Sequence, residues 1–327
     1  MRFSADIAAW RREAQNLRRE DVVRAGLVAL ILALLFVLFH LQGNTTEVLA
    51  FGRSALTWMV TRWSDAFFVG ADYSHGWLIP MAAAWLVWRR RKELAAVPKS
   101  VAAAGLAVVV FGLLCHWLGA KAQQTRLSLF GLGLLIWGIP YYLCGREVAK
   151  ILLFPCAYLM LCIPLNFLDS LTFPLRLFAT TVSVGLLNGL GLAMQQNGTA
   201  IFASDGDFSL DVADPCSGIR SLMALTAITA VYGYLTQPTT ARKWLLFLSS
   251  VPLAIIGNIA RIVIIALARE AFGPEVASKI HDYSGYLVFA VAVLCMLALG
   301  NLMRTDFKVV VNRWKRELLS PTPSLQD

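Results

Sequence analysis

The sequence predicts an all-α polytopic membrane protein: about eight transmembrane helices, an interfacial or re-entrant helix, and a short extracytoplasmic strand-like segment. Three observations predict it. The 327 residues are 58% hydrophobic and only 15% charged, against roughly 45–50% and about 25% in soluble domains. The apolar excess falls in blocks of about 17–25 residues, the length that crosses a hydrocarbon core of roughly 30 Å. Most of the 29 Lys and Arg lie on alternate segments between those blocks, as the positive-inside rule requires of a chain that crosses repeatedly. The net charge of +9 is therefore explained by topology, and nucleic acid is not implied as a partner.

Residues 1–24 are polar and basic, with Arg11, Arg12, Arg18 and Arg19, and read as a cytoplasmic segment. A first span covers about 25–41. No small-residue cleavage site follows it, so it is expected to be a retained anchor. Residues 42–74 mix aromatic and charged side chains, and 56–68 suit an interfacial helix. Tyr73-Ser74-His75-Gly76-Trp77-Leu78-Ile79-Pro80 opens a second span that ends at Trp88, where Arg89-Arg90-Arg91-Lys92 stops it. Further spans are expected at 101–119, 127–144, 147–165, 217–236, 243–268 and 285–303. Residues 25–303 thus form one transmembrane domain, and 304–327 a basic cytoplasmic tail with a disordered end.

The stretch 172–196 is long enough to cross, but Thr172, Arg176, Thr180 and Ser183 fall on one helical face. Such a stripe suits a helix lying in the interface. Charge parity agrees. With 172–196 not crossing, segments 1–24, 89–100, 145–150, 237–243 and 304–327 all face the cytoplasm and hold most of the Lys and Arg. A crossing there would turn the basic tail outward. Residues 166–216 are therefore expected outside, and both termini inside. Within this outer stretch, 199–212 partly alternates apolar and polar residues around a Gly turn, as a strand does.

Cys216 stands in Asp214-Pro215-Cys216-Ser217-Gly218-Ile219-Arg220, at the first turn of the sixth span. A helix N-terminus carries partial positive charge and lowers a thiol pKa. Arg220 lies four residues on, on the same face. Asn258 and Arg261 share a face in the seventh span, and an arginine there is costly unless it has a task or a partner. His281 precedes the eighth span. The charge-derived topology brings Cys216, Arg261 and His281 to one side of the membrane at similar depth. Together they make an acyl-transfer set: a thiolate nucleophile, a general acid and base and an oxyanion donor. Taken singly, each has a plainer reading, as a packed thiol, an arginine bonding helix ends or headgroups, and a solvated loop histidine.

Other chemistries lack their motifs. The chain has no Walker loop, no H-E-x-x-H and no G-x-S-x-G. Its six Cys have no metal-ligand spacing, and Asp205, Asp207, Asp211 and Asp214 do not fit an EF-hand loop. No cofactor or metal is expected. His40 and His116 lie in or beside apolar spans and read as structural.

Four blocks together resemble the exosortase/archaeosortase family of membrane cysteine transpeptidases. They are Asp72-Tyr73-Ser74-His75-Gly76-Trp77-Leu78-Ile79-Pro80 with Trp88-Arg89-Arg90-Arg91, Pro215-Cys216-Ser217-Gly218-Ile219-Arg220-Ser221, Asn258-Ile259-Ala260-Arg261-Ile262 and His281-Asp282-Tyr283-Ser284-Gly285. The resemblance spans roughly 65–303. A histidine at 281, where archaeal members usually carry arginine, points to the bacterial exosortase branch. It implies Cys216 as nucleophile, Arg261 as oxyanion-stabilising residue and His281 as acid and base. Arg220, Asn258 and Ser217 are candidates for substrate binding or oxyanion support. It also implies a place in the bacterial inner membrane, with the active site on the outer face. The partners implied are membrane-anchored proteins with a C-terminal sorting signal (a short PEP-CTERM-like motif, one helix, a basic tail), the bilayer itself and an unidentified surface acceptor. Exopolysaccharide production often accompanies such systems. Two rivals stay open: a transporter or flippase for a surface-glycan lipid using Arg220, Arg261 and His281 as a charge relay, and an intramembrane protease that hydrolyses without transfer.

Overall fold

The computed structural model describes residues 22–43, 45, 48–64, 73–164, 167–203, 209–211 and 219–304. These fall in two compact units, drawn from Met1–Asp65 with Gly76–Pro164 and from Ala66–His75 with Leu165–Asp327.

The first unit is helical. It contains α1 (Val22–Leu41, π-helical over Val37–Leu41), α2 (Val48–Phe51), α3 (Ala55–Ser64), α4 (Leu78–Arg89), α5 (Arg91–Ala96), α6 (Ala103–Lys121), α7 (Thr125–Cys144) and α8 (Arg146–Leu159). A 3₁₀ turn, Met160–Cys162, closes α8. Helices α6 and α7 pack side by side along their length, because glycines line the seam. A Cβ on Gly131 would sit 2.5 Å from the Gly112 carbonyl oxygen, so only small residues let the two backbones meet. His116 is buried in this pair, and its Nδ1 lies 2.6 Å from the Ser128 hydroxyl. Trp63 donates from Nε1 to the Cys162 carbonyl at 2.8 Å, and Trp58 is fully buried beneath the Arg62 and Arg126 guanidinium groups.

The second unit holds α9 (Phe167–Gly189), three antiparallel strands β1 (Met194–Asn197), β2 (Ala200–Ala203) and β3 (Ser209–Asp211) in that order, and helices α10 (Ile219–Thr236), α11 (Thr240–Phe272) and α12 (Pro274–Arg304). Met194 pairs with Ala203, and Ala200 with Asp211. The Asn188 carboxamide ties the end of α9 to β1, accepting from Met194 N at 2.7 Å and donating to its carbonyl at 3.1 Å. The 33-residue α11 is the central element. One stretch of it, with Ile262 and Ala266, packs against Leu187, Met194 and Ile201. Another, with Leu246 and Ala254, packs against Leu225, Ala292 and Met296.

Among the described residues, five helices are long and apolar enough to cross a membrane: Val22–Leu41, Ala103–Lys121, Thr125–Cys144, Thr240–Phe272 and Tyr283–Arg304. The fold is thus that of an all-α membrane protein. The other three expected spans are shorter apolar helices among the described residues. α4 has 12 residues and α8 has 14, or about 18 and 21 Å at 1.5 Å per residue. Pro155 lies inside α8, and the 3₁₀ turn follows directly. Ser221–Thr236 is the apolar part of α10.

Two local expectations change. The polar stripe of α9 does not face water: Thr172, Thr180 and Ser183 are buried, while Phe178 and Leu186 on the other side are exposed. The Thr180 and Ser183 hydroxyls can be buried because they bond within their own helix. Thr180 donates to the Arg176 carbonyl at 3.0 Å and Ser183 to Ala179 at 2.8 Å, a pattern that satisfies a hydroxyl without solvent. Nor are residues 269–284 a loop. α11 runs to Phe272 and α12 starts at Pro274, with Gly273 alone between them at φ 80°. Glycine takes that left-handed conformation without strain, and proline suits the first helical position after it.

Candidate functional site

α11 and α12 are consecutive antiparallel neighbours, and their crossing sets the geometry at Arg261. Residue 261 on α11 faces the early part of α12, where His281 and Ser284 lie one turn apart. Arg261 donates from Nε to Ser284 Oγ at 3.3 Å and from Nη2 to the His281 carbonyl oxygen at 3.1 Å. Ser284 is itself buried and donates to the same His281 carbonyl at 3.2 Å. One carbonyl thus gathers a guanidinium and a hydroxyl, and the hydroxyl in turn receives the guanidinium. A planar, permanently charged fork held at two points has little rotational freedom left.

Gly285 completes the seat. A Cβ there would lie 3.4 Å from Arg261 Cζ, so the guanidinium rests flat on α12. Gly257, one turn before Arg261, meets Val288 at close range, with a Cβ at 3.0 Å from its Cγ1. The helices therefore approach each other closely one turn from the charged group.

Beside this seat opens a small cleft between α10, α11 and α12. Ser221, Asn258 and Arg261 give it a polar end, and Leu225, Leu253 and Phe289 an apolar one. Asn258 is 7% exposed, and its Oδ1 has no hydrogen-bond partner among the described residues. α10 begins at Ile219, so its first turns form the third wall.

The structure therefore brings the Arg261 side chain to the main chain of His281, with Asn258 three residues before Arg261 on the same helix. Cys216 and Ser217 lie outside the described residues, as do Asp205, Asp207 and Asp214. Arg220 falls on the first turn of α10, but its side chain is outside the description. Ser284, Gly285 and Ser221 are participants that the sequence places in the resemblance blocks without a role. For Ser284 a signal existed. It stands three residues after His281, the spacing at which a serine hydroxyl reaches back to a helical carbonyl. Among the described residues, no cluster of His, Cys, Asp and Glu can hold a metal ion.

Chemically, the arrangement presents a fixed cation and a buried amide on the wall of a small cleft. Such a donor array suits charge that develops on a carbonyl oxygen. Compared with known proteins, the chain matches the family model for transmembrane exosortases over residues 63–298. No curated protein and no solved structure matches it.

Proposed function

The chain belongs to the transmembrane exosortase family, and from that premise we propose that it is a membrane-embedded cysteine transpeptidase. The Cys216 thiolate attacks the carbonyl carbon of the scissile peptide bond. The carbonyl oxygen becomes an oxyanion, which the Arg261 guanidinium stabilises. As the intermediate collapses the C–N bond breaks, and His281 gives its proton to the leaving amine. That leaves the new N-terminal part of the substrate as a thioester on Cys216. His281, now neutral, takes a proton from the incoming nucleophile. That nucleophile attacks the thioester, and the C–S bond breaks to restore the thiolate. An amine or hydroxyl of a surface acceptor gives transfer. Water gives hydrolysis.

The observation that supports this reading most is the seat of Arg261. A guanidinium within a membrane helix pair is expensive, and it marks a functional site by default. This one bridges α11 to α12 through Ser284 and the main chain of His281, and it also lines a cleft. Chain connectivity adds support. Cys216 precedes Ser221, on the cleft wall, by five residues, which limits their separation to about 18 Å. Ser217, Arg220 and Asn258 supply substrate binding or oxyanion support around the same point.

The substrates proposed are exported proteins with a C-terminal motif, one transmembrane helix and a basic tail. The enzyme sits in the bacterial inner membrane with both termini cytoplasmic and the site outside. The substrate's own helix, held by the bilayer and the apolar spans, brings the scissile bond to the thiol, a use of remote binding to orient the reacting group. No cofactor or metal takes part.

The test is to co-express a tagged, co-encoded protein bearing such a signal. The wild type is expected to remove the signal, and Cys216→Ala to leave it uncut while inserting in the membrane to the same level. An unchanged mass shift of the substrate with Cys216→Ala defeats the proposal.

A further inference from the structure

We infer that the Asn258 carboxamide binds a main-chain peptide unit of the substrate, accepting its N–H and donating to its C=O. The inference rests on the transpeptidase reading and names a substrate-binding group for it. It starts from an imbalance within α11. Ser250 on the same helix is satisfied locally: it donates to the Phe247 carbonyl at 2.7 Å and meets the Thr226 hydroxyl at 3.1 Å. Asn258 has no such arrangement. It is more than nine-tenths buried, yet Oδ1 has no partner among the described residues. Buried polar atoms almost always find a partner, so a specific exception needs a reason.

The cleft supplies the reason. Asn258 lines it together with Arg261 and Ser221. Asn258 and Arg261 are one turn apart on α11, a rise of about 4.5 Å. A group bound at the carboxamide therefore lies within a peptide unit or two of one bound at the guanidinium. A carboxamide carries both donors and an acceptor, the complement of a peptide unit's C=O and N–H. This match holds whichever way the amide is turned. The apolar lining below, Leu225, Leu253 and Phe289, favours a neutral amide over a second charge. Arg261 then meets the oxygen that gains charge, while Asn258 holds a neighbouring unit that does not change during the reaction.

That division fixes the kinetic signature. A contact made equally in the ground and transition states sets KM and leaves kcat alone. The test uses the full-length enzyme in proteoliposomes, with a co-encoded protein carrying the motif, helix and basic tail as the probe at varied mole fraction. Asn258→Ala is expected to raise the half-saturating mole fraction roughly tenfold, the loss of one good neutral contact, with kcat little changed. Asn258→Leu removes the unpaired amide, so it is expected to unfold at the same or a higher temperature than the wild type while also losing substrate affinity. Normal saturation by Asn258→Ala overturns the inference. So does a loss confined to kcat, which would place Asn258 on the reacting atoms. A clear fall in the unfolding temperature of both variants also overturns it, because Asn258 would then be holding the bundle together. Cleavage by Cys216→Ala is a separate result, which sinks the reaction assigned to the enzyme and not the contact at Asn258.

Discussion

Two helix pairs in this chain use small residues in opposite ways. In α6 and α7 the glycines let backbone touch backbone. A Cβ on Gly119 would lie 2.6 Å from Ser128 N, and one on Gly131 at 2.5 Å from Gly112 O. The polar groups of that pair are matched inside it, His116 with Ser128 at 2.6 Å. In α11 and α12, Gly285 faces a guanidinium instead of a backbone. There the carboxamide oxygen of Asn258 has no partner among the described residues, and a cleft opens beside it. Within a membrane, a polar group bonded inside its own helix pair and facing no cleft reads as structure. One held at the edge of a cleft reads as chemistry.

Substitutions in the two pairs separate those roles. The largest effect on rate is expected from Arg261→Ala, a fall of about 10²–10³ in kcat if the guanidinium stabilises the oxyanion, with a normal yield of inserted protein. Substrate-trimming time courses measure it, and a loss under tenfold breaks the contrast. Gly131→Leu is expected to strike stability instead, by about 1–3 kcal/mol or more, because the new side chain meets the Gly112 carbonyl. Thermal unfolding in detergent checks this, and an unshifted midpoint would show that the seam is loose. Ser128→Ala strips the partner from a buried imidazole at a cost of about 1–3 kcal/mol. The folded fraction is expected to trim substrate at the normal rate. Ser284→Ala removes one of the holds on Arg261 and is expected to lower kcat by roughly fivefold, near 1 kcal/mol, with unfolding unchanged. Gly285→Ala is the smallest. Its methyl group meets the guanidinium at ordinary contact distance, and a loss of rate below that of Ser284→Ala is expected.

What could be read from the sequence follows from how local each signal was. The long apolar runs gave the helices α1, α6, α7, α11 and the body of α12, because span length depends on composition alone. Spans expected at α4 and α8 extend past the helix ends, because α4 is preceded by a 3₁₀ turn at Ser74–Trp77 and the apolar run of α8 continues into one at Met160–Cys162. The α9 stripe misled for a different reason. Polarity was taken to mean water, yet Thr180 and Ser183 spend their hydroxyls on their own helix. The case for keeping 172–196 out of the membrane therefore rests on charge alone. At the site, the residue types at Asn258, Arg261 and His281 were visible as a pattern. Ser284 and Gly285 stand in one of the resemblance blocks, but they acquire a role only when α12 packs on α11.

The central claim is that the second unit works through a thioester on Cys216. The most direct measurement is to add hydroxylamine to membranes holding the enzyme and a tagged substrate with a C-terminal signal, then weigh the trimmed product. A thioester is intercepted by hydroxylamine, so the wild type is predicted to yield substrate ending in a hydroxamate, and Cys216→Ala to yield no trimmed product. Trimming by Cys216→Ala, or wild-type product that never carries the hydroxamate, would contradict the account.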